Sequence, residues 1–272
     1  MSESGMRPNI AAAGGRTGDL SRLAQPGVAR RHENRMLASL PASELTTLTR
    51  HLQVVALQPG AVLHHQDHPL DYVYFPHDGL VSLLAMTPDG ATIEAASVGR
   101  SGAVCPVHRS DVDDCFLTAV TQSAMRASRI PAAHLQTVQT ECVTLDGALR
   151  AWREALLLQM RQNIVCGGLH AVEQRLSRWL LEAADRLETD VLPILATQEH
   201  VAQRLGVRRT TVTLLASKLQ DVGAIRWGRS RVEILDRARL EAMACSCYVA
   251  LRERINALLP RDPVLAAKDM PG

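Results

Sequence analysis

Aromatic residues are nearly missing from this 272-residue chain, at 3% of its composition. An RNA-stacking surface needs rings for bases to lie on, so that class of surface is excluded. The hydrophobic cores must be built of Leu, Val, Ile and Ala. No run of about 18 apolar residues occurs, so no stretch reads as a membrane-spanning helix. The opening Met1-Ser-Glu-Ser-Gly-Met-Arg-Pro has no apolar segment of the secretory type. Six cysteines (Cys105, Cys115, Cys142, Cys166, Cys245 and Cys247) are spread out rather than set in a framework. A reduced, cytoplasmic setting is the expectation. Net charge is also scant: 30 Lys+Arg against 28 Asp+Glu leave +2, so any nucleic-acid footprint must be a local patch. No Gly-rich phosphate loop, nucleophile elbow or His-Glu-x-x-His is found, and an enzyme is not expected.

What is present is enough for real cores. Apolar residues make up 46%, which excludes wholesale disorder, and the length favours two domains. Residues 1–34 are Gly-, Ala-, Arg- and Ser-rich and read as a tail, with ordered chain expected from about Asn34. Ser43 is placed to cap a short helix after Pro41 whose apolar face is Leu45 and Leu48. From about 52 to 130 short apolar runs alternate with turns. Leu52–Leu57, Asp71–Phe75, Leu80–Met86, Ala91–Val98 and Cys115–Thr121 read as strands of a small β-roll, and Pro88-Asp89-Gly90 reads as a hairpin turn.

After Pro131 the period becomes helical. Leu145, Leu149, Trp152, Leu156, Met160 and Ile164 are spaced three or four apart and form one stripe on a helix of about 25 residues. The stripe is read as a dimer seam, the alternative being an internal core helix. Gly167-Gly168 is read as a hinge. A second amphipathic helix carries Val172, Leu176, Leu180, Ala183 and Leu187 and ends near Glu188. The expected division is 35–143 for the roll, 144–169 for the long helix, 170–243 for a winged helix-turn-helix, and 244–272 for a C-terminal helix and tail.

The segment from Thr197 carries the most specific pattern. Thr197 caps a first helix whose Val201 and Leu205 point inward, and Gly206 supplies a turn in which a left-handed residue costs little. Val212, Leu215, Ala216 and Leu219 form the buried face of a second helix, giving a helix-turn-helix. At about 100° per residue, Thr210, Thr213, Leu214, Ser217 and Lys218 face away from the core. Arg208, Arg209 and Thr211 stand near the end that enters a major groove. Hydroxyls and a helix N-terminus suit phosphate, and arginine suits a guanine edge. Ala224–Ile234 reads as a two-stranded wing turning at Gly228, with Arg226, Arg229 and Arg231 available to the DNA backbone. Thr197–Leu235 holds seven Lys/Arg and three Asp/Glu, a local +4. These residues, with Thr197, are the candidate DNA-binding set. The alternative from another class is a metabolite-binding sensor whose winged helix contacts protein.

Taken together, the roll, the long helix and above all Leu205-Gly-Val-Arg-Arg-Thr-Thr-Val212 resemble the Crp/Fnr family of bacterial transcription regulators, over about residues 35–243. The resemblance implies an α+β chain with a cyclic-nucleotide-binding-like N-terminal β-roll, a dimerisation helix and a C-terminal winged helix-turn-helix. It implies a homodimer on a two-fold symmetric double-stranded operator, with RNA polymerase a further candidate partner and no membrane partner. Arg209 falls at the family's base-reading arginine, while Thr210 and Leu214 replace a glutamate and an arginine of its pattern. The effector pocket would lie at Gly99, Arg100, Ser101 and Gly102 with Leu117 and Thr118. Leucine at 117 cannot neutralise a cyclic phosphate, and Arg109 is a displaced substitute, so usual cyclic AMP binding is not expected. No cysteine precedes residue 105, against the family's iron–sulfur mode. His64, His65, Asp67 and His68 read as turn polars. Cys245 and Cys247, placed on one C-terminal helix, would point to different faces, and no metal or cofactor is expected.

Overall fold

A computed structural model describes residues 34–105, 114–192, 197–229 and 231–259. The tail expected before residue 34 and the Arg109 loop lie outside them. Asn34 itself is not tail. It is fully buried, caps α1 (Arg35–Ala38) by accepting from the Leu37 amide, and donates to the carbonyls of Pro76 and Gly102, both at 2.9 Å. In α2 (Ala42–Thr49) the N-cap is Pro41 without a side-chain bond, so Ser43 is not the cap.

Among the described residues nine strands follow, every pairing antiparallel: β1 (Gln53–Leu57), β2 (Val62–His64), β3 (His68–Pro69), β4 (Tyr72–Pro76), β5 (Val81–Met86), β6 (Thr92–Val98), β7 (Asp114–Cys115), β8 (Thr118–Thr121) and β9 (Met125–Pro131). They form sheets ordered β1-β9-β4 and β2-β8-β5-β6, with a short β3-β7 pair. At the β5–β6 hairpin Gly90 takes φ +87°, and the Thr87 amide donates to the Ala91 carbonyl at 2.9 Å. The expected Cys115–Thr121 strand is two pieces, and β2, β3 and β9 are additions to the sequence reading.

After α3 (Ala132–Glu141) comes α4 (Val143–Leu169). Its first amides, Thr144 and Leu145, donate to the two carboxylate oxygens of Glu44 at 3.0 and 2.9 Å. This helix continues through Gly167-Gly168 and ends only at His170, so the expected hinge is two residues too early. Its apolar stripe also has a different partner from the one expected. Leu145, Leu149, Trp152 and Leu156 are buried in the core of their own roll, and Met160 is packed partly against it. The indole of Trp152 donates to the Ala103 carbonyl at 2.7 Å. Of the seam residues named from sequence, Ile164 alone stands free, 76% exposed. Packing the stripe on the roll removes its apolar area from water within a single chain.

A second unit of the core is built on α5 (Val172–Leu187), which ends at Glu188 with φ +54°. It includes β10 (Val191–Leu192), α6 (Gln198–Leu205), α7 (Arg209–Asp221), β11 (Ile225–Trp227) and β12 (Val232–Ile234), with strand order β10-β12-β11. Two helices close the described chain, α8 (Arg237–Met243) and α9 (Cys247–Leu258). The latter is no loose tail. Tyr248 and Leu251 are buried, and Ile255 and Leu259 pack on the core that holds α4. No helix among the described residues is long and apolar enough to cross a membrane.

Candidate nucleic-acid interface

The local chemistry of α6 and α7 decides what they present. Thr197 occupies the N-cap of α6, its hydroxyl accepting from the His200 amide at 3.2 Å. Val201, Ala202 and Leu205 are buried, and Gly206 closes the helix at φ +64°, where a Cβ would be strained. Arg208 then takes an extended conformation and starts α7 without a side-chain cap. An uncapped helix N-terminus keeps its positive end available to an anion.

Along α7, Val212, Ala216 and Leu219 are buried against the α5 unit. Arg209, Thr210, Thr213, Leu214, Ser217 and Lys218 are exposed, while Thr211 is half-buried. Leu214 is 71% exposed on that outer face. The Thr213 hydroxyl lies 2.5 Å from the Gln198 side-chain oxygen and 3.1 Å from the Arg209 carbonyl, holding α6 to α7 on the outer side. In the wing, the Gly228 amide donates to the Arg231 carbonyl at 2.9 Å, and the Trp227 amide donates to Gln220 of α7 at 2.9 Å. Thr197, Gln198, Glu199, Arg209, Trp227, Gly228 and Arg229 thereby line one groove between α7 and the wing.

The basic patch is narrower than the sequence count suggests. Arg204 faces inward, 4% exposed, against the equally buried Glu94 of β6 at 3.5 Å. Burial pushes its guanidinium pKa down, and the carboxylate of Glu94 opposes that shift. Lys218 is held by Glu173 at 2.7 Å and Arg226 by Glu233 at 2.9 Å. Among the described residues, Arg208, Arg209, Arg229 and Arg231 carry no ion pair. The mobile positive charge therefore sits at the N-terminal end of α7 and the tip of the wing.

Glu94 also joins the two halves of the chain. Its carboxylate accepts from the Trp179 indole of α5 at 3.0 Å and from the Ser82 hydroxyl of β5. Arg175 of α5 donates to the Leu205 carbonyl at 2.6 Å. Sequence reasoning missed Glu94, Trp179 and Arg204 as a group. The one available signal was an arginine among the inward positions of α6, and it had been added to the surface charge.

Of the expected effector residues, Gly99, Arg100 and Ser101 line one cleft, and Gly102, Leu117 and Thr118 do not line it. Gly102 lies so close to α4 that a Cβ there would overlap the Trp152 ring, and a Cβ at Gly99 would lie 2.9 Å from the Arg186 Cβ. Arg100 is paired with Glu188 at 2.8 Å. Ser101 lines the cleft, of about 140 Å³, beside Gly99, Arg100, Glu182 and Arg186. Leu117 packs on the roll core, and the Thr118 hydroxyl accepts from the Gln66 amide at 3.0 Å. Glycines 99 and 102 thus allow the close approach of α5 and α4.

The cysteine reading needs correcting as well. Cys245 precedes α9 and Cys247 begins it, with the chain turning at Ser246, so the 100° helical step does not separate them. Their donor atoms lie within 4.8 Å of each other and of those of Cys166 and His170. The His64–His68 run forms no such group.

Residues 174–243 match the Crp-like helix-turn-helix domain family. That segment is a Crp-like helix-turn-helix domain. The chain is 25% identical over 211 residues to the transcriptional regulatory protein Btr of Bordetella pertussis, covering 72% of this chain and 84% of Btr. In fold it is similar to FixK2 of Bradyrhizobium japonicum, with a TM-score of 0.63 and 18% identity, over 72% of this chain and 98% of FixK2. A Crp/Fnr-family regulator from Eubacterium rectale superposes with a TM-score of 0.59 and 17% identity, over 76% of this chain and 96% of that one. The Crp-like module matched, 174–243, spans α5 to the end of α8 and contains the whole groove described above.

Proposed function

We propose that this chain is a homodimeric, sequence-specific DNA-binding regulator of transcription of the Crp/Fnr type, acting in the bacterial cytoplasm. The observation that carries the reading is the free face of α7. Four unpaired arginines, three exposed hydroxyls and an exposed leucine surround an open helix N-terminus, with a wing beside it. Arg209 is positioned to read a guanine edge, and Leu214 to pack on a thymine methyl, while Arg229 and Arg231 reach phosphates.

The dimer rests on the outer face of α4, not the buried stripe. Val143, Leu157 and Ile164 are exposed there, with Val165 and Leu169 exposed farther along the helix. Two α7 helices carried by such a pair would address a two-fold symmetric site.

The sensory roll, in this reading, does not take cyclic AMP in the family's usual manner. Leu117 supplies no charge, and Trp152 fills the space beside Gly102. Selection of bound duplexes from a random pool, using the full chain, tests the proposal. A palindromic consensus is expected. Recovery of unselected sequence would favour the rival in which the winged helix contacts protein.

A further inference from the structure

Four side chains of metal-ligand type converge where α4 ends and α9 begins. Cys166 and His170 stand one turn apart at the C-terminal end of α4. Cys245 and Cys247 flank the turn at Ser246. The sulfurs of Cys166 and Cys245 are 3.9 Å apart, and the Cys247 sulfur is 3.9 Å from Nδ1 of His170. All four donor atoms lie within 4.8 Å of one another, with Cys166 and Cys245 buried and the other two half-buried.

We propose that Cys166, His170, Cys245 and Cys247 form a structural zinc site that clasps the end of α4 to the start of α9. A tetrahedral zinc with bonds of about 2.3 Å to sulfur and about 2.0 Å to nitrogen has donor–donor edges of roughly 3.6–3.8 Å. Two pairs stand at 3.9 Å, close to that edge, and the others within 4.8 Å, so shifts of up to about 1 Å bring the four donors onto one ion. Three cysteines and one histidine fill all four positions, the closed arrangement of a structural rather than a catalytic site. Soft thiolates with an imidazole select zinc over hard cations.

The surroundings fit the charge of such a site. Binding one Zn²⁺ releases three thiol protons to solvent and leaves three thiolates, a neutral imidazole and the dication, a net −1. The nearly buried guanidinium of Arg178 on α5, paired with Glu182 at 2.9 Å, also acts electrostatically on all three sulfurs. Gln162 donates to the Cys166 sulfur at 3.4 Å, the kind of outer contact that orients a ligand. Rival readings use the group less completely. A Cys166–Cys245 disulfide leaves Cys247 and His170 without a role, and the sulfurs stand far beyond the bonded distance of about 2.05 Å. An iron–sulfur cluster of the usual kind takes four cysteines, and three are here.

The site is independent of the DNA-binding reading, and its test needs no DNA. The tag-free, reduced full chain is titrated anaerobically with Co²⁺, whose visible bands report tetrahedral thiolate ligation. One equivalent should bind with those bands, and one equivalent of Zn²⁺ should displace it. Protein purified from zinc-containing medium should carry one zinc per chain by elemental analysis. Cys247→Ser and His170→Ala should each weaken binding by about tenfold or more, while Cys142→Ser, outside the group, should leave it unchanged. Absence of the cobalt bands in the reduced wild-type chain overturns the site. So does an unaltered stoichiometry and affinity in folded Cys247→Ser, or the absorbance of an iron–sulfur cluster in the purified protein. Should the variants fail to fold, the wild-type titration decides alone.

Discussion

Arg209 and Arg231 are both exposed and unpaired, yet they sit on backbones of different kinds. Arg209 opens α7, where a guanidinium can bond both acceptors of a guanine. Arg231 follows the wing turn, where phosphate is the expected partner. Arg209→Ala should cost about 1–3 kcal/mol on the preferred duplex and relax the choice at one base pair. Arg231→Ala should weaken all duplexes about equally and lower the salt slope by about one. Affinities over a panel of single-base variants separate the two; an unchanged ranking with Arg209→Ala would remove it as the reading residue. Gly102 gives a prediction of another kind. Gly102→Ala should destabilise the fold by about 1–3 kcal/mol, because its methyl enters the Trp152 ring. Urea unfolding checks this, and an unshifted midpoint would mean that α4 yields easily. The Thr197 cap, Gly206 and the outward Leu214 were legible from local rules, though the same capping rule misplaced the start of α2 at Ser43. Arg204 was not, because a basic residue on a short helix reads as surface until a partner 110 positions away, Glu94, is brought beside it.

Periodicity announces that a helix face is buried but not what buries it, and α4 illustrates the difference. The stripe from Leu145 to Leu156 was correctly seen as apolar and wrongly matched to a second chain. Leu156→Glu should therefore place an unpaired charge in the roll core and unfold the protein. Ile164→Glu should leave the fold intact and shift the dimer toward monomer. Sedimentation with circular dichroism distinguishes these outcomes; a folded, monomeric Leu156→Glu protein would restore the original seam. At the other end of α4 the Glu44 cap sets a pH dependence. Burial pushes its carboxyl upward, but the amides of Thr144 and Leu145 outweigh that and hold it below its ordinary value. Its contribution is then complete above the unfolded value of about 4.3 and is lost as pH falls through the folded value. Glu44→Gln should lower the urea midpoint at pH 7 and have less effect at pH 3, and an equal effect at both would contradict the cap. Among the strands, β3 is a His-Pro pair and β9 mixes Arg, Ser and Ala with few large apolar residues. Neither has the strong alternation that reveals a strand in sequence.

At the scale of the whole molecule, the winged helix is docked on the roll through Glu94, Arg204 and Trp179, and α9 returns to cover α4. These associations join residues from distant parts of the chain, so no local pattern encodes them. The fold class and the DNA-facing module were legible because each is built from short-range signals; the joints between modules were not. The docking leaves the α7 face and the wing tip open, which is what binding to a duplex requires. The central claim is that these free arginines hold DNA from two protomers at once. With Arg209 on a base edge, Arg208, Arg229 and Arg231 of each protomer give six phosphate contacts in a dimer, so log K should fall with log salt at a slope of about −5. The decisive measurement is anisotropy of a labelled duplex, chosen by the random-pool selection, with the full chain from 50 to 200 mM salt. The account predicts dimer binding that weakens about 10³-fold over that range. Salt-insensitive binding, or none at low salt, would contradict it.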